Sequence, residues 1–210
     1  TMVDIGKLAG KPVVAVITSM AQPLGTHIGN ALEVKDAIDV LAGRTQGDLL
    51  EISLLLGSHM LVLAEKAKTL PEARAMLENA LSSGAGLRKL AEMIAAQGGD
   101  PRVVEDLSLL PQAAVKRVMR AETAGYLSAM DTTALGMAAQ RMGAGRAKKS
   151  DMLDYSVGYV LHVRLGDEVT EDTPLATLYA RNEAEAEEAE KAIRKALTIA
   201  RKKPQAPKLW

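Results

Sequence analysis

Residues Val13–Leu41 read VVAVITSMAQPLGTHIGNALEVKDAIDVL, a hydrophobic run followed by a glycine-containing loop and a helical pattern. The β-branched run Val13–Ile17 predicts a strand buried on both faces, as in the middle of an α/β sheet. Asn30 suits the N-cap of the next helix, and Glu33 is placed to complete a capping box. Ligands of open α/β sheets bind at the carboxyl ends of strands. The loop Ser19–Gly29 is therefore either a binding site or a plain connection.

The composition excludes several functional classes. The chain has 210 residues, of which 48% are apolar and 25% charged, as in a soluble globular protein. Lys plus Arg and Asp plus Glu each number 26, so no net field attracts nucleic acid or an anionic membrane. Aromatic residues make up 2%, and Cys is absent, which excludes disulfides and thiolate metal sites. We expect a cytoplasmic protein without nucleic-acid or membrane partners.

The pattern changes near Ala114. Helices are predicted before it, over about 48–67, 71–83 and 87–97. After it, short β-like segments alternate with turns, and Thr132 or Thr133 is placed to cap a helix. The β-like segments are Val115–Ala121, Gly125–Met130, Tyr155–Val163 and Pro174–Ala180. A last helix is predicted from Asn182, as N-cap, to about Lys202, with acidic residues first and basic residues last, which suits the helix dipole.

The segment Val163–Leu175 resembles the biotinyl and lipoyl hammerhead domains, with a Gly-Asp turn after one strand and a Pro-Leu pair opening the next. A carrier domain also needs a Lys at a hairpin tip, and Lys148 and Lys149 lack the Met residues that usually flank it. The predicted fold is α/β: part of a mixed-sheet α/β domain over residues 1–110, then a small α+β hammerhead subdomain over 111–210.

The first residues favour a fragment. The chain opens on Thr1, and apolar residues at helical spacing place a helix before the strand Val13–Ile17. One parallel strand cannot form a sheet, so we expect the later part of a longer protein. The alternative is an intact domain that has been processed.

Few residues offer chemistry by pattern. Three histidines occur, His27 in the loop, His59 in an apolar helix and His162 in a predicted strand, and none has triad or metal-ligand spacing. The segment Gly143–Arg146 is more typical of a turn after a helix than of an anion cradle. Backbone carbonyls around Pro23-Leu24-Gly25, together with a carboxylate on the next helix, are oxygen ligands of the type that hard cations prefer.

Four segments, in order, resemble the thymidine and pyrimidine-nucleoside phosphorylase family. They are VITSMAQPLGTHIGNALEVKDAID from Val16, AAQGGDPRVVED from Ala95, MDTTALGMAAQRMGAGR from Met130 and DYSVGYVLHVRLGDEV from Asp154. The last two resemble the bacterial thymidine phosphorylase branch more than the broader pyrimidine branch.

The resemblance implies a transferase about twice this length, with a small helical domain, a large α/β domain and a hammerhead subdomain, assembled as a homodimer. Its reaction is phosphorolysis of thymidine, which releases thymine and 2-deoxyribose 1-phosphate. The family's Lys-His-Ser-Thr-Gly-Gly phosphate loop and its base-binding Arg, Ser and Lys set are absent from this sequence. We therefore assign no catalytic residue and no organic cofactor here, and expect this chain to be inactive by itself.

The resemblance also implies a K⁺ site. By position its ligands in this chain are Leu24 and His27, through backbone oxygen, and Asp36, which is one methylene shorter than the family's Glu. The competing interpretations are a pyrimidine-nucleoside phosphorylase of broader specificity, a non-catalytic hammerhead interaction or carrier module, and a related phosphoribosyl transferase.

Overall fold

The computed structural model describes residues 1–205 and 207–210. The chain divides into two compact units. The first comprises Thr1–Ser19, Ile38–Pro101 and Lys208–Trp210, and the second comprises Met20–Ala37 and Arg102–Pro207. The predicted α/β class is confirmed, because helices and sheets both contribute, and both sheets are antiparallel. The predicted boundary at residue 110 stays a prediction.

The first unit is helical. Its elements are α1 (Met2–Leu8), the end of α2 (Asn30–Leu41), α3 (Asp48–Leu63), α4 (Leu70–Ser82) and α5 (Ala85–Ala96). Buried Val40, Leu50 and Leu54 form its core, with Leu77 packed against them. Gly57 allows close approach of α3 to α4, since a Cβ there would lie 2.8 Å from Leu77 Cδ1.

The prediction of a buried strand at Val13–Ile17 is wrong for this structure. The segment has no regular structure, and Ile17 is 91% exposed. A strand is stable only when a neighbouring strand satisfies its N–H and C=O groups. None of the strands in the described part of the chain pairs with Val13–Ile17, so its β propensity alone does not order it.

The second unit holds both sheets. The strands are β1 (His27–Ile28), β2 (Val115–Arg120), β3 (Gly125–Met130), β4 (Gly158–Leu161), β5 (Glu168–Val169), β6 (Pro174–Ala180) and β7 (Leu197–Ala200). One sheet has the order β1-β4-β6-β2 and the other the order β5-β3-β7. Helices α6 (Thr132–Ala139) and α7 (Glu183–Ala196) belong to the same unit, with a π-helical turn at Gln140–Ala144. Tyr159, Leu135 and Ile193 are fully buried members of its core.

The helix ends differ from their predictions in two places. Asn182 caps α7 as predicted, with its side chain accepting the N–H of Glu185 at 3.0 Å, but the helix ends at Ala196 rather than Lys202. The next residues form β7, because Leu197 and Ile199 pair with β3. Helix α6 is capped by Asp131, whose carboxylate accepts the N–H of Ala134 at 2.9 Å, and not by either threonine.

Charged residues of α7 bind β2. Glu190 accepts hydrogen bonds from Arg117 Nε at 2.7 Å and from Arg194 at 2.8 Å. Burial acts to raise the pKa of Glu190, but the hydrogen bonds from Arg194 and Arg117 outweigh it, so this pKa lies below its usual value. Part of the run of acidic and basic residues on α7 therefore joins the helix to the sheet.

Candidate functional site

The loop Met20–Gly29 is held by the rest of the second unit. The Thr132 hydroxyl donates to the Met20 carbonyl at 3.3 Å, and the Leu161 N–H donates to the Thr26 carbonyl at 2.8 Å. The β1 strand within the loop pairs antiparallel with β4. The predicted candidate loop therefore belongs to a structured element whose partners lie more than a hundred residues away in sequence.

Two glycines allow β1 to lie against β4. Gly29 has φ +139°, and Gly158 has φ +147°. A Cβ on Gly158 would lie 2.1 Å from the Ile28 carbonyl oxygen, and one on Gly29 would lie 2.5 Å from the Val157 oxygen. No side chain fits at either position, because a real Cβ does not approach another atom within 3.0 Å. The glycines thus fix where the loop ends and α2 begins.

Asn30 has a different role from the N-cap that its sequence position suggests. It is the first residue of α2, and its side-chain amide donates to the Ala144 carbonyl at 2.8 Å. Ala31 N–H donates to the Tyr155 carbonyl at 3.0 Å. Of the predicted turn Gly143–Arg146, the first two residues belong to the π-helical turn Gln140–Ala144, in which Gly143 leaves helical geometry at φ +107°. Asn30 therefore joins the start of α2 to that turn.

Asp36 reaches back from α2 to the loop. Its Oδ2 accepts the Thr26 N–H at 3.2 Å, and its Oδ1 lies 3.4 Å from His27 Nδ1. The Thr26 hydroxyl is 3.0 Å from the same imidazole nitrogen. Asp36 is only 3% exposed, and a buried carboxylate needs such partners to offset its lost hydration. The short Asp side chain is therefore long enough to contact the loop.

The register of β1 decides where the His27 backbone points. Thr26 and Leu161 form a hydrogen-bonded pair, so the neighbouring pair His27–Val160 is of the non-hydrogen-bonded type. The His27 carbonyl is consequently directed away from β4. This orientation fits its predicted use as a backbone ligand.

The carbonyls of Pro23 and Leu24 accept hydrogen bonds from Arg164. Its Nη1 donates to Pro23 O at 2.6 Å and its Nη2 to Leu24 O at 3.3 Å. The next residue, Leu165, donates its N–H to Gln22 Oε1 at 2.9 Å. Nothing in the sequence indicates this contact, because Arg164 and Leu24 are 140 residues apart and no sequence motif contains both.

Of the three predicted ligands, the structure brings the side chains of Asp36 and His27 together, and the Leu24 carbonyl accepts a hydrogen bond from Arg164. Within the described residues, no three His, Asp or Glu side chains gather as a metal site. A cation here would therefore depend on backbone oxygens with Asp36 as the charged ligand. Asp36 fits that role by its burial and its reach, and a carbonyl oxygen has a second lone pair beyond the one that Arg164 uses.

The other predicted candidates lie away from this loop. His162 Nε2 is 2.7 Å from the Thr177 hydroxyl. Burial lowers the pKa of His162, and the positive charge of Lys116 lowers it further. Lys148 and Lys149 lie in the irregular segment between the π-helical turn and β4, not at the tip of a hairpin as a carrier lysine does.

Two family models match successive parts of the chain. A model described as "Glycosyl transferase family, a/b domain" matches residues 1–87, and one described as "Pyrimidine nucleoside phosphorylase C-terminal domain" matches residues 126–200. The two matches place an a/b domain of the glycosyl transferase family before a pyrimidine nucleoside phosphorylase C-terminal domain.

The curated relatives that the chain matches are named pyrimidine-nucleoside phosphorylases. The chain is 49% identical over 182 residues to a pyrimidine-nucleoside phosphorylase of Geobacillus stearothermophilus and 50% identical over 182 residues to that of Bacillus subtilis (strain 168). Each match covers 87% of this chain and 42% of the relative. The Staphylococcus aureus (strain USA300) enzyme of the same name is 43% identical over 199 residues, covering 95% of this chain and 46% of the relative.

The chain belongs to the thymidine and pyrimidine-nucleoside phosphorylase family. It spans less than half the length of the curated relatives it matches. Among the helices that the structure describes, none combines the length and apolarity that crossing a membrane requires.

Proposed function

We propose that this chain is the later part of a thymidine phosphorylase. Its support is the ordered match of a glycosyl transferase a/b domain and a pyrimidine nucleoside phosphorylase C-terminal domain, together with relatives of that name. In the proposed reaction a phosphate oxygen attacks the anomeric carbon of the nucleoside. The bond from that carbon to the base breaks, and its electron pair leaves with thymine. The preference for thymidine rests on the segments from Met130 and Asp154.

The chain by itself is proposed to be inactive. It carries no residue to which we assign attack on the sugar or stabilisation of the departing base. The working enzyme is proposed to be a cytoplasmic homodimer. Within this chain, the boundary between the α/β domain and the hammerhead subdomain is proposed to lie at residue 110. The direct assay is thymine release from thymidine and phosphate by the purified 210-residue chain. We expect the rate of a heat-killed blank, and release above that rate would overturn the proposed inactivity.

A chimera tests the function itself. The part of the G. stearothermophilus relative that matches this chain is replaced by this chain, keeping that relative's own preceding part. We expect a folded dimer, verified by circular dichroism and sedimentation, that releases thymine from thymidine faster than uracil from uridine. A folded chimera without phosphorolysis would refute the proposed activity. A chimera that prefers uridine would refute only the thymidine preference.

We also propose that K⁺ binds between the backbone oxygens of Leu24 and His27 and the Asp36 carboxylate. The support is the buried Asp36 carboxylate reaching the loop and the outward His27 carbonyl. An ion that binds only the folded state stabilises it by about 1.4 kcal/mol at ten times its dissociation constant.

The measurement is the melting temperature in KCl against choline chloride at equal ionic strength. We expect K⁺ to raise it in the wild type, to raise it more in Asp36→Glu and not to raise it in Asp36→Asn. Asp39→Asn is the matched control, because Asp39 is also a buried carboxylate of α2 and accepts a hydrogen bond from Arg44 Nε at 2.7 Å. Equal melting in both salts for the wild type and Asp36→Glu would refute the site.

A further inference from the structure

The turn that carries Arg164 is ordered by its own hydrogen bonds. Asp167 Oδ2 accepts the Arg164 N–H at 2.8 Å, and the Asp167 N–H donates to the Arg164 carbonyl at 3.1 Å. Gly166 adopts φ +92° in the turn. The Gly166 N–H donates to the carbonyl of Leu127, and the Leu127 N–H donates to the Asp167 carbonyl. Leu127 is fully buried on β3, so the turn is anchored to the core.

Three donors from this turn bind the loop. The two guanidinium nitrogens of Arg164 reach the successive carbonyls of Pro23 and Leu24, and the Leu165 N–H reaches the Gln22 side chain. A planar guanidinium presents its donors in a fixed fork, so two bonds to neighbouring carbonyls restrict both the position and the tilt of those peptide groups. A lysine ammonium at the same place has no such fork.

We infer that Arg164 is a positioning residue that fixes the Pro23 and Leu24 carbonyls, so that the turn at residues 164–167 sets the geometry of the loop. The role concerns the loop and does not require a bound ion. Its consequence for K⁺ rests on the proposed cation site.

Arg164 exerts two opposite effects on a cation at Leu24. Its positive charge opposes binding of another cation nearby, by Coulomb repulsion. Its hydrogen bonds hold the Leu24 carbonyl in one orientation, which lowers the cost of assembling the ligands. A positioning role means that the second effect is the larger. If positioning is the larger effect, removal of Arg164 weakens K⁺ binding. If charge repulsion is the larger effect, removal of Arg164 strengthens K⁺ binding.

The first test is amide hydrogen exchange of the 210-residue chain by NMR, in choline chloride without K⁺. The Thr26 and Leu165 amides report on the loop, since they bond Asp36 and Gln22. In Arg164→Met both amides are expected to exchange about tenfold faster, because charge-assisted bonds are lost. In Arg164→Lys the increase is expected to be smaller.

Arg120→Met is the matched control. Arg120 also donates from Nη1 to a backbone carbonyl, that of Asp172, at 2.7 Å. This variant is expected to leave the Thr26 and Leu165 amides unchanged. Exchange in Arg164→Met and Arg164→Lys that stays within about twofold of wild type at both amides would overturn the inference. If Arg164→Met unfolds globally, with the amides of β2 and β6 exchanging as fast as the loop, Arg164→Lys decides alone.

The second test is the K⁺ dissociation constant, from the K⁺-dependent melting of each variant. Arg164→Met and Arg164→Lys are both expected to weaken binding about tenfold, and the lysine variant shows that retained charge does not restore geometry. Unchanged or tighter binding in both variants would overturn the link between Arg164 and the cation ligand. If neither the wild type nor Asp36→Glu responds to K⁺, the cation site is refuted, while the exchange result still decides the role of Arg164.

Discussion

Gly158 offers a sharp test of how the loop is joined to the second unit. Its φ is +147°, and a Cβ added to it would meet the Ile28 carbonyl oxygen at 2.1 Å. The obstructing atom belongs to the backbone, so it cannot rotate away as a flexible side chain would. Gly158→Ala therefore has to move β1 away from β4 or change the backbone at residue 158.

Both routes cost free energy. An alanine held in a glycine-only backbone region costs about 1–3 kcal/mol. Displacing β1 loses ladder hydrogen bonds worth about 0.5–1.5 kcal/mol each. We expect Gly158→Ala to lower the free energy of unfolding of the second unit by about 3 kcal/mol, the sum of partial contributions from both.

Gly136 provides the control within the same unit. It lies in α6, and a Cβ added there meets no atom within 4 Å. Because glycine is a poor helix former, Gly136→Ala is expected to raise the free energy of unfolding by about 0.5–1 kcal/mol. The same substitution type thus has opposite signs at two positions.

Urea unfolding followed by near-ultraviolet circular dichroism of tyrosine measures both changes. All four tyrosines lie in the second unit and Trp210 lies in the first, so the tyrosine part of the signal reports on the second unit. Gly158→Ala within about 0.5 kcal/mol of wild type would refute the close approach of β1 and β4. A destabilising Gly136→Ala would instead refute the open surface around α6.

Three further predictions concern the second unit and use the same unfolding assay. Burial raises the pKa of the Tyr159 phenol above its ordinary value of 10.0, so the unfolded state ionises first and stability falls as pH rises above that value. Tyr159→Phe should reduce this fall and, by losing the 2.8 Å bond to the Leu135 carbonyl, cost about 1–2 kcal/mol at neutral pH; an undiminished fall contradicts the assignment. The pKa of Glu190 is lowered, so Glu190→Gln should cost about 1–2 kcal/mol at pH 7, with the difference from wild type shrinking as pH falls below 4.5; a pH-independent difference would count against the ion pairs. Asp131→Ala should lower the free energy of unfolding by about 1 kcal/mol by removing the cap of α6, whereas Thr133→Ala should lower it less. A larger loss in Thr133→Ala would favour the threonine as the cap.

Local signals predicted the second unit well. The limits of β3 and β6 agree with Gly125–Met130 and Pro174–Ala180, and Asn182 caps α7 as expected. These features depend on alternating or continuous apolar residues and on hydrogen bonds that span three residues. Such interactions are complete within a short segment, so the sequence order shows them directly.

Features that need a distant partner were mispredicted. Val13–Ile17 has the composition of a buried strand but has no ladder partner among the described strands. Helix α7 was expected to continue to Lys202, and it ends at Ala196 because β3 pairs with the residues beyond. In both cases tertiary pairing, or its absence, outweighs local propensity.

The candidate loop shows the same division. The sequence by itself determined that Ser19–Gly29 is a glycine-containing connection before a helix, and its resemblance to the phosphorylase family implied Leu24, His27 and Asp36 as cation ligands. Only the tertiary structure decided that Asp36 bonds the Thr26 N–H, that Asn30 holds Ala144 and that Arg164 holds the Pro23 and Leu24 carbonyls. The reason is physical: capping and periodicity act over one or two turns of chain, whereas these hydrogen bonds join groups that only the folded backbone brings within 3 Å or so of each other.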